Sequence, residues 1–412
     1  FRCVVLDVCP LAGVAGHGGA RAESENEGVA ICGTFNARCC LWLSADKEPV
    51  FSLRDALPAS AHPPPRPSVL FLVPEIHAVQ TGGNVYNRRM IAGMRSTMPV
   101  RVRAWAPAAA SAAALGATGA EVIVVDSLLT RAPRALRALR AARPAATLVL
   151  LAHYLACVDP QATDAAAAAE ERASLAELDV AITTSQCVRQ ALLNEGFAAE
   201  QVRVVPPGLH ARYRGACPPR LRQGTARLLT VANVLPTKGL RAFVDVLAGL
   251  QDLAWTWQVV GDESLDADYA ASVRQRLGEA GLAHRVVWTG GLAPDALPAR
   301  YDRADLFVLP SPFETCSLST REAMARGLPV VGQHVGGMPE NFGPAAAGAL
   351  VPPGNAHEAQ AAVRAFLNDA LGRRRCGRAA WRRSRTFPTW AEAADRFREA
   401  LTLLHARTAT GA

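Results

Sequence analysis

Two glutamates eight positions apart, Glu314 and Glu322, stand in the segment Pro310-Ser-Pro-Phe-Glu-Thr-Cys-Ser-Leu-Ser-Thr-Arg-Glu-Ala-Met-Ala-Arg-Gly327. The apolar run before it, Leu306-Phe-Val-Leu309, reads as a buried parallel strand. A helical pattern follows and stops at Gly327, with Pro329 beyond. One carboxylate therefore falls on the loop leaving a strand and the other in the helix. In open α/β sheets ligands bind outside the carboxyl ends of the strands. Free backbone N–H groups at a helix start suit an anion such as phosphate. Carboxylates beside that anion would repel it, unless they accept hydrogen bonds from the ligand's hydroxyl groups. A polyhydroxylated ligand carrying phosphate, such as a nucleotide sugar, meets both demands.

The elements that would position these groups recur along the chain. Apolar runs at Val69–Val73, Val122–Val125, Thr147–Leu151, Val180–Thr183 and Val202–Val205 alternate with alanine-rich helical stretches. After the turn residues of 206–224 the pattern restarts at Leu228–Val231, Trp257–Val260, Arg285–Trp288, Leu306–Leu309 and Pro329–Val331. Alternating strand and helix imply parallel, doubly wound sheets. The expected fold class is α/β, with two Rossmann-like doubly wound domains facing across a cleft. Residues 1–66 end in a proline cluster and read as a disordered or atypical N-terminal extension. The expected domains are 67–206 and 207–385, with a closing helix and tail at 386–412.

Seven segments carry a resemblance: Thr81-Gly-Gly-Asn-Val-Tyr86; Val149-Leu-Leu-Ala-His-Tyr154; Val231-Ala-Asn-Val-Leu-Pro-Thr-Lys-Gly239; Val260-Gly-Asp262; the Glu314/Glu322 segment; Gly327-Leu-Pro-Val-Val331 with Gly336-Gly-Met-Pro-Glu340; and Gly348-Ala-Leu-Val-Pro-Pro-Gly354. In this order they resemble family 4 glycosyltransferases, the glycosyl transferases of group 1, which are retaining enzymes of the GT-B fold. The resemblance implies a first domain on the acceptor side and a second that holds a nucleotide-diphosphate sugar. It implies that Glu322 holds ribose hydroxyls and Glu314 the hydroxyls of the transferred sugar. Lys238 would neutralise the departing pyrophosphate, and His153 would lie over the donor sugar. Gly82 and Gly83 would let backbone approach the donor or acceptor. Asn233, Lys238 and the helix start Thr315, Cys316, Ser317 and Leu318 would complete the donor site. Tyr86, Asn87 and Arg88 are candidates to touch the acceptor.

Two departures from the family pattern stand out. Asn233 occupies a position where arginine is frequent, and Arg212 or Arg214 are candidate replacements for that charge. Thr315-Cys-Ser317 stands where glycines are common. These departures keep open a non-catalytic sensor or scaffold that binds nucleotide sugars. A GT-B epimerase is a further alternative, though the extra acid/base residues it would need are not evident. No metal site or cofactor is expected beyond the donor substrate.

Composition sets broader bounds. At 412 residues, two or three domains are expected. The net charge of +8 comes with heavy arginine usage and does not call for a nucleic-acid partner. No apolar run reaches the roughly 20 residues that span a bilayer. Five of the ten cysteines fall in the first 40 residues and the rest are scattered singly, a pattern of reduced thiols rather than zinc ligands. The opening residues do not read as a signal peptide. A cytoplasmic location is therefore expected, with the inner membrane face as an option, because the arginines from Arg131 to Arg143 recur every third residue. Such a stripe suits an anionic membrane or an acidic acceptor. Its lack of large apolar residues also fits an ordinary solvated face.

Overall fold

The computed structural model describes residues 66–75, 79–105, 119–160, 162–217 and 224–410. All but the last residue of the expected extension 1–66 lies outside them. The described residues form two six-stranded, wholly parallel sheets. The first comprises β1 (Val69–Val73), β2 (Val100–Ala104), β3 (Val122–Asp126), β4 (Thr147–Ala152), β5 (Val180–Thr183) and β6 (Val202–Val204). Its spatial order is β2-β1-β3-β4-β5-β6. The second comprises β7 (Ala226–Val231), β8 (Trp255–Val260), β9 (Val286–Trp288), β10 (Leu306–Leu309), β11 (Val330–Gln333) and β12 (Gly348–Val351), in the order β12-β11-β10-β7-β8-β9.

The strand sequences explain the layering. Successive side chains of a strand point to opposite faces. In β1, Leu70 and Leu72 enter one core while Val69, Phe71 and Val73 enter another. A strand buried on both faces must be apolar throughout, which is why β1, β3 and β4 read as continuous hydrophobic runs. The edge strands β2 and β12 escape that signal. β2 alternates Val and Arg, with Arg101 and Arg103 exposed. β12 opens on a glycine and is only partly buried. Edge strands need no two-sided apolar cover, so a search for compact apolar runs can pass over them, as it does over these two but not over β6 and β9.

The last helix, Trp390–Thr410, returns to the first sheet. Ala393, Ala394, Phe397, Ala400, Leu401 and Leu404 form a stripe at helical spacing and join the core of Phe71 and Met90. Phe397 stacks on Phe71 with ring centroids 6.0 Å apart. Truncating such a ring to alanine costs about 3–5 kcal/mol, so Phe397→Ala would detach the helix from the domain it closes.

In an open α/β sheet, ligands bind where the strand order reverses direction. The reversal falls between β1 and β3 in the first sheet and between β7 and β10 in the second. Gly82 follows β1 and Asp126 ends β3, while Asn233 and Lys238 follow β7 and Glu314 follows β10. Topology therefore gathers residues far apart in sequence at two crevices.

Candidate active site

The two crevices share one cavity of about 740 Å³. Its wall includes Gly82, Gly83 and His153 from the first domain. From the second come Asn233, Lys238, Glu314, Thr315, Cys316, Ser317, Leu318 and Glu322. Every residue expected to hold the donor thus lines the same space.

In that wall, Lys238 Nζ lies 2.6 Å from Glu314 Oε1. Glu314 is buried, and its loop is held from behind by two glycines. Gly337 N–H donates to the Glu314 carbonyl at 2.8 Å. A Cβ at Gly336 would stand 2.0 Å from that carbonyl oxygen, and one at Gly337 would stand 2.1 Å from the Thr315 carbonyl. Only glycines permit so close a backbone approach. Lys238 is one of two lysines, with Lys47, among 44 lysines and arginines. A chain that otherwise uses arginine keeps a compact ammonium here, which a planar guanidinium does not replace. That compositional exception was a usable signal for Lys238.

Glu322, in the same wall, faces no cation at contact distance among the described residues. Tyr301 donates its hydroxyl to Glu322 Oε2 at 2.8 Å, and Tyr213 hydrogen-bonds the same carboxylate. The two rings meet edge to face at 5.8 Å. Burial pushes the Glu322 carboxyl up to about 7, against the pull of both hydroxyls and of Arg212 nearby. Motif reading did not single out either tyrosine, because Tyr213 comes from the connection between domains and Tyr301 from a helix outside the matching segments.

Ser317 caps the helix Leu318–Ala325, its hydroxyl accepting from Thr320 N–H at 3.3 Å. It is the single non-glycine with positive φ among the described residues, at φ 63°. This is the position where the family pattern favours glycine, and serine takes up the same left-handed backbone at a cost of about 1–2 kcal/mol. Cys316 is buried and its thiol is pushed up by that burial, so it presents no thiolate to the cavity.

On the first domain, a Cβ at Gly83 would lie 3.0 Å from His153 Cδ2, so the helix start packs directly on the imidazole. His153 Nε2 lies 2.8 Å from Asn87 Oδ1, and Asn87 Nδ2 donates to Asp126 at 2.5 Å. Because the Asn87 amide spends its N–H on Asp126, the network assigns the proton to His153 Nε2 and leaves Nδ1 as acceptor. Burial lowers the imidazole below its ordinary value, with Asp126 opposing, so the ring is neutral at pH 7. Asp126 ends a strand and stands outside the recognised segments, so its part in orienting His153 surfaces only in the structure.

Three expectations change. Tyr86 lines the cavity but is buried, its hydroxyl donating to the Val205 carbonyl at 2.9 Å, and Asn87 is buried and serves the His153 network. Arg88 turns to Gln80 Oε1 at 2.9 Å. Arg212 and Arg214 do not supply the charge missing at Asn233, since neither lines the cavity. Arg212 pairs with Asp295, and Arg214 donates to the Phe387 carbonyl at 2.7 Å. Asn233 instead bridges the cleft: Nδ2 donates to the Gln80 carbonyl at 3.1 Å, and Oδ1 accepts from Asp262 N–H at 3.2 Å. Among the described residues, no three His, Cys, Asp or Glu side chains group to hold a metal ion.

Residues 218–383 match the model of the family described as glycosyl transferases group 1. The chain resembles the glycosyl transferases of group 1. It is 32% identical over 198 residues to 2-deoxystreptamine glucosyltransferase of Streptomyces kanamyceticus, covering 44% of this chain and 50% of that one. It is 36% identical over 129 residues to 2-deoxystreptamine N-acetyl-D-glucosaminyltransferase of Streptomyces fradiae, covering 30% of each. The chain thus spans half or less of the length of these relatives. Among solved structures, sucrose-phosphate synthase from Thermosynechococcus elongatus superposes with a TM-score of 0.70 at 21% identity, over 84% of this chain and 100% of that one. Anabaena HepE in complex with UDP-glucose superposes with a TM-score of 0.66 at 20% identity, over 84% of this chain and 100% of that one. The fold of the group 1 resemblance is therefore GT-B, with two Rossmann-like domains.

Proposed function

We propose that the chain transfers a sugar, with retention, from a nucleotide-diphosphate sugar to a hydroxylated acceptor. The observation that carries this reading is the single cavity lined by both a lysine–carboxylate pair and a separate, tyrosine-held carboxylate. Those two groups suit a ligand with diphosphate and sugar at one pole and ribose at the other. UDP-glucose bound by HepE belongs to that ligand class.

In this reading, Glu322 accepts from the ribose hydroxyls. Such charge-assisted bonds are stronger than neutral ones and fix the nucleoside's orientation. Lys238 moves from Glu314 to the diphosphate as the donor enters, and Glu314 accepts from hydroxyls of the transferred sugar. The start of the helix Leu318–Ala325 offers N–H groups to the phosphates. On transfer, the bond from the anomeric carbon to the phosphate oxygen breaks and a bond to the acceptor oxygen forms on the same face. The departing phosphate oxygen takes the acceptor's proton. This course depends on orientation and on stabilising the leaving charge. Neutral His153, through Nδ1, accepts from a sugar hydroxyl and needs to move no proton. The proposed reaction uses the donor alone, without a metal or further cofactor.

The acceptor side lies on the first domain, where Asp126, Asp159 and Asp164 line the cavity against one arginine, Arg131. The acceptor to try first is 2-deoxystreptamine, named in two relatives. The test is thermal stabilisation by nucleoside diphosphates and their sugars, followed by donor turnover with and without acceptor. Stabilisation and turnover are expected. Stabilisation without turnover across acceptors would support the sensor reading, which Asn233 favours because it donates a hydrogen bond but no charge.

A further inference from the structure

The chain has two arginine-rich helices, and they differ in what their arginines touch. In the helix Pro133–Ala142 and its flanks, Arg137 pairs with Glu177 at 3.0 Å and Arg140 with Asp179 at 2.6 Å. Arg131 lies 3.5 Å from Glu171, and Arg143 donates to the Ala120 carbonyl. That stripe is largely tied into its own domain. The helix Ala370–Ser384 contains six arginines and no acidic residue. Arg373 and Arg383 face inward and donate to backbone carbonyls, at 2.9 Å to Leu367 and 2.7 Å to Glu340.

Of the rest, Arg374 is half-buried and the exposed ones form a row with Arg385. Arg375, Arg378, Arg382 and Arg385 are exposed, Arg385 at the helical C-cap, and Leu371 precedes them at 59% exposure. Their spacing of four, three, four and three residues keeps all five within an arc of about 80°, over roughly 21 Å of helix. Gly372, Arg373, Gly377, Ala380 and Ser384 are the buried residues and lie on the opposite side. Among the described residues, the one carboxylate paired to the row is Asp369, 3.4 Å from Arg375. Exposed arginines elsewhere, such as Arg172 with Glu195 and Arg364 with Asp252, do have carboxylate partners.

We infer that this row is a docking surface for an anionic lipid bilayer. A straight, convex line of guanidinium groups matches a plane of lipid phosphates. Exposed Leu371 at one end and half-buried Trp381 beside Arg385 are apolar and aromatic groups of the kind that settle at a membrane interface. A single helix without interleaved exposed aromatic platforms offers little to the bases of a nucleic acid.

The test is sedimentation of the full chain with vesicles of phosphatidylglycerol and phosphatidylcholine, against phosphatidylcholine alone. Binding is expected only with the anionic lipid. It should vanish near 1 M salt, where charges are screened beyond about 3 Å. At about a factor of five per arginine near an anionic surface, R378E/R382E/R385E should lower partitioning by about a hundredfold or more. The variant R95E/R134E/R227E removes the same charge from scattered exposed positions and should retain most of the binding. Thermal melts of both variants check that they fold. Failure of the parent chain to bind, equal binding by the row variant, or equal loss in the scattered variant would each overturn the proposal. So would a short oligonucleotide that binds the row more tightly than the vesicles do.

Discussion

The two carboxylates of the cavity are held in opposite ways. Glu314 sits against an ammonium at 2.6 Å, on a loop braced by Gly336 and Gly337. Glu322 sits among hydroxyl groups, with Arg212 nearby, and burial holds its carboxyl near neutrality. The first arrangement keeps charge in the site and ready to exchange partners with a ligand that is itself charged. The second keeps a proton available to be displaced, which suits neutral hydroxyl donors. One cavity thus presents a charged pole and a polar pole, and a nucleotide sugar carries the same asymmetry.

The largest way to break the comparison is Lys238→Ala. Removing the cation aimed at a growing charge should lower kcat by about 10²–10³-fold, leaving Glu314 buried without its cation. Steady-state turnover checks it, and activity equal to the parent would remove Lys238 from the leaving-group role. Next, Glu322→Gln should raise the donor Kd by roughly ten- to a hundredfold, since charged acceptors contribute about 1.5–3 kcal/mol per hydrogen bond. Calorimetry reads that change directly, with kcat on saturating donor altered much less.

The pH dependence sharpens the contrast. The Glu322 carboxyl is raised from its ordinary 4.5 to about 7, so between those values the folded protein holds a proton that the unfolded chain has released. The associated stability is fully present below about 4.5 and is lost as pH rises through about 7. Ribose needs the ionised acceptor, so donor affinity should increase across the same interval. A Glu322→Gln variant should lose both trends, and a parent affinity flat from pH 6 to 8 would contradict the polar-pole assignment.

Smaller effects follow at the phosphate side. Asn233→Ala should cost less than Lys238→Ala, because it removes a bridge to the Gln80 carbonyl and no charge. A several-fold rise in donor Kd is expected, and a loss as large as that of Lys238→Ala would make the bridge essential. Ser317→Gly relieves a positive φ while giving up a cap that glycine replaces at a few tenths of a kcal/mol. A net gain of about 0.5–1 kcal/mol in stability should appear in denaturant melts.

Much of this was legible in the sequence, for identifiable reasons. Central strands such as β3 and β4 must be apolar on both faces, so they announce themselves. Glu314, Glu322 and Lys238 follow strands at the reversal point of their sheet, His153 follows β4 next to β3, and their local segments carry the pattern. The edge strands β2 and β12 were illegible because exposure relaxes their composition. Tyr213, Tyr301 and Asp126 were illegible as site residues because their parts depend on where separate elements pack. The burial of Tyr86 and Asn87 was illegible for a related cause: sequence gives their helix and not which face of it packs inward. The stripe of Arg131–Arg143 was read correctly as a periodicity, but carboxylates at Glu171, Glu177 and Asp179 come from elsewhere and take up much of it.

The central claim is that one pole holds diphosphate and the other ribose. Calorimetric titration of a nucleoside and its diphosphate, chosen as the pair that best stabilises the parent, tests it on Lys238→Ala and Glu322→Gln together. The account predicts that Lys238→Ala weakens the diphosphate by roughly ten- to a hundredfold and leaves the nucleoside unchanged, while Glu322→Gln weakens both. Equal loss of nucleoside binding in Lys238→Ala, or unchanged nucleoside binding in Glu322→Gln, would contradict it.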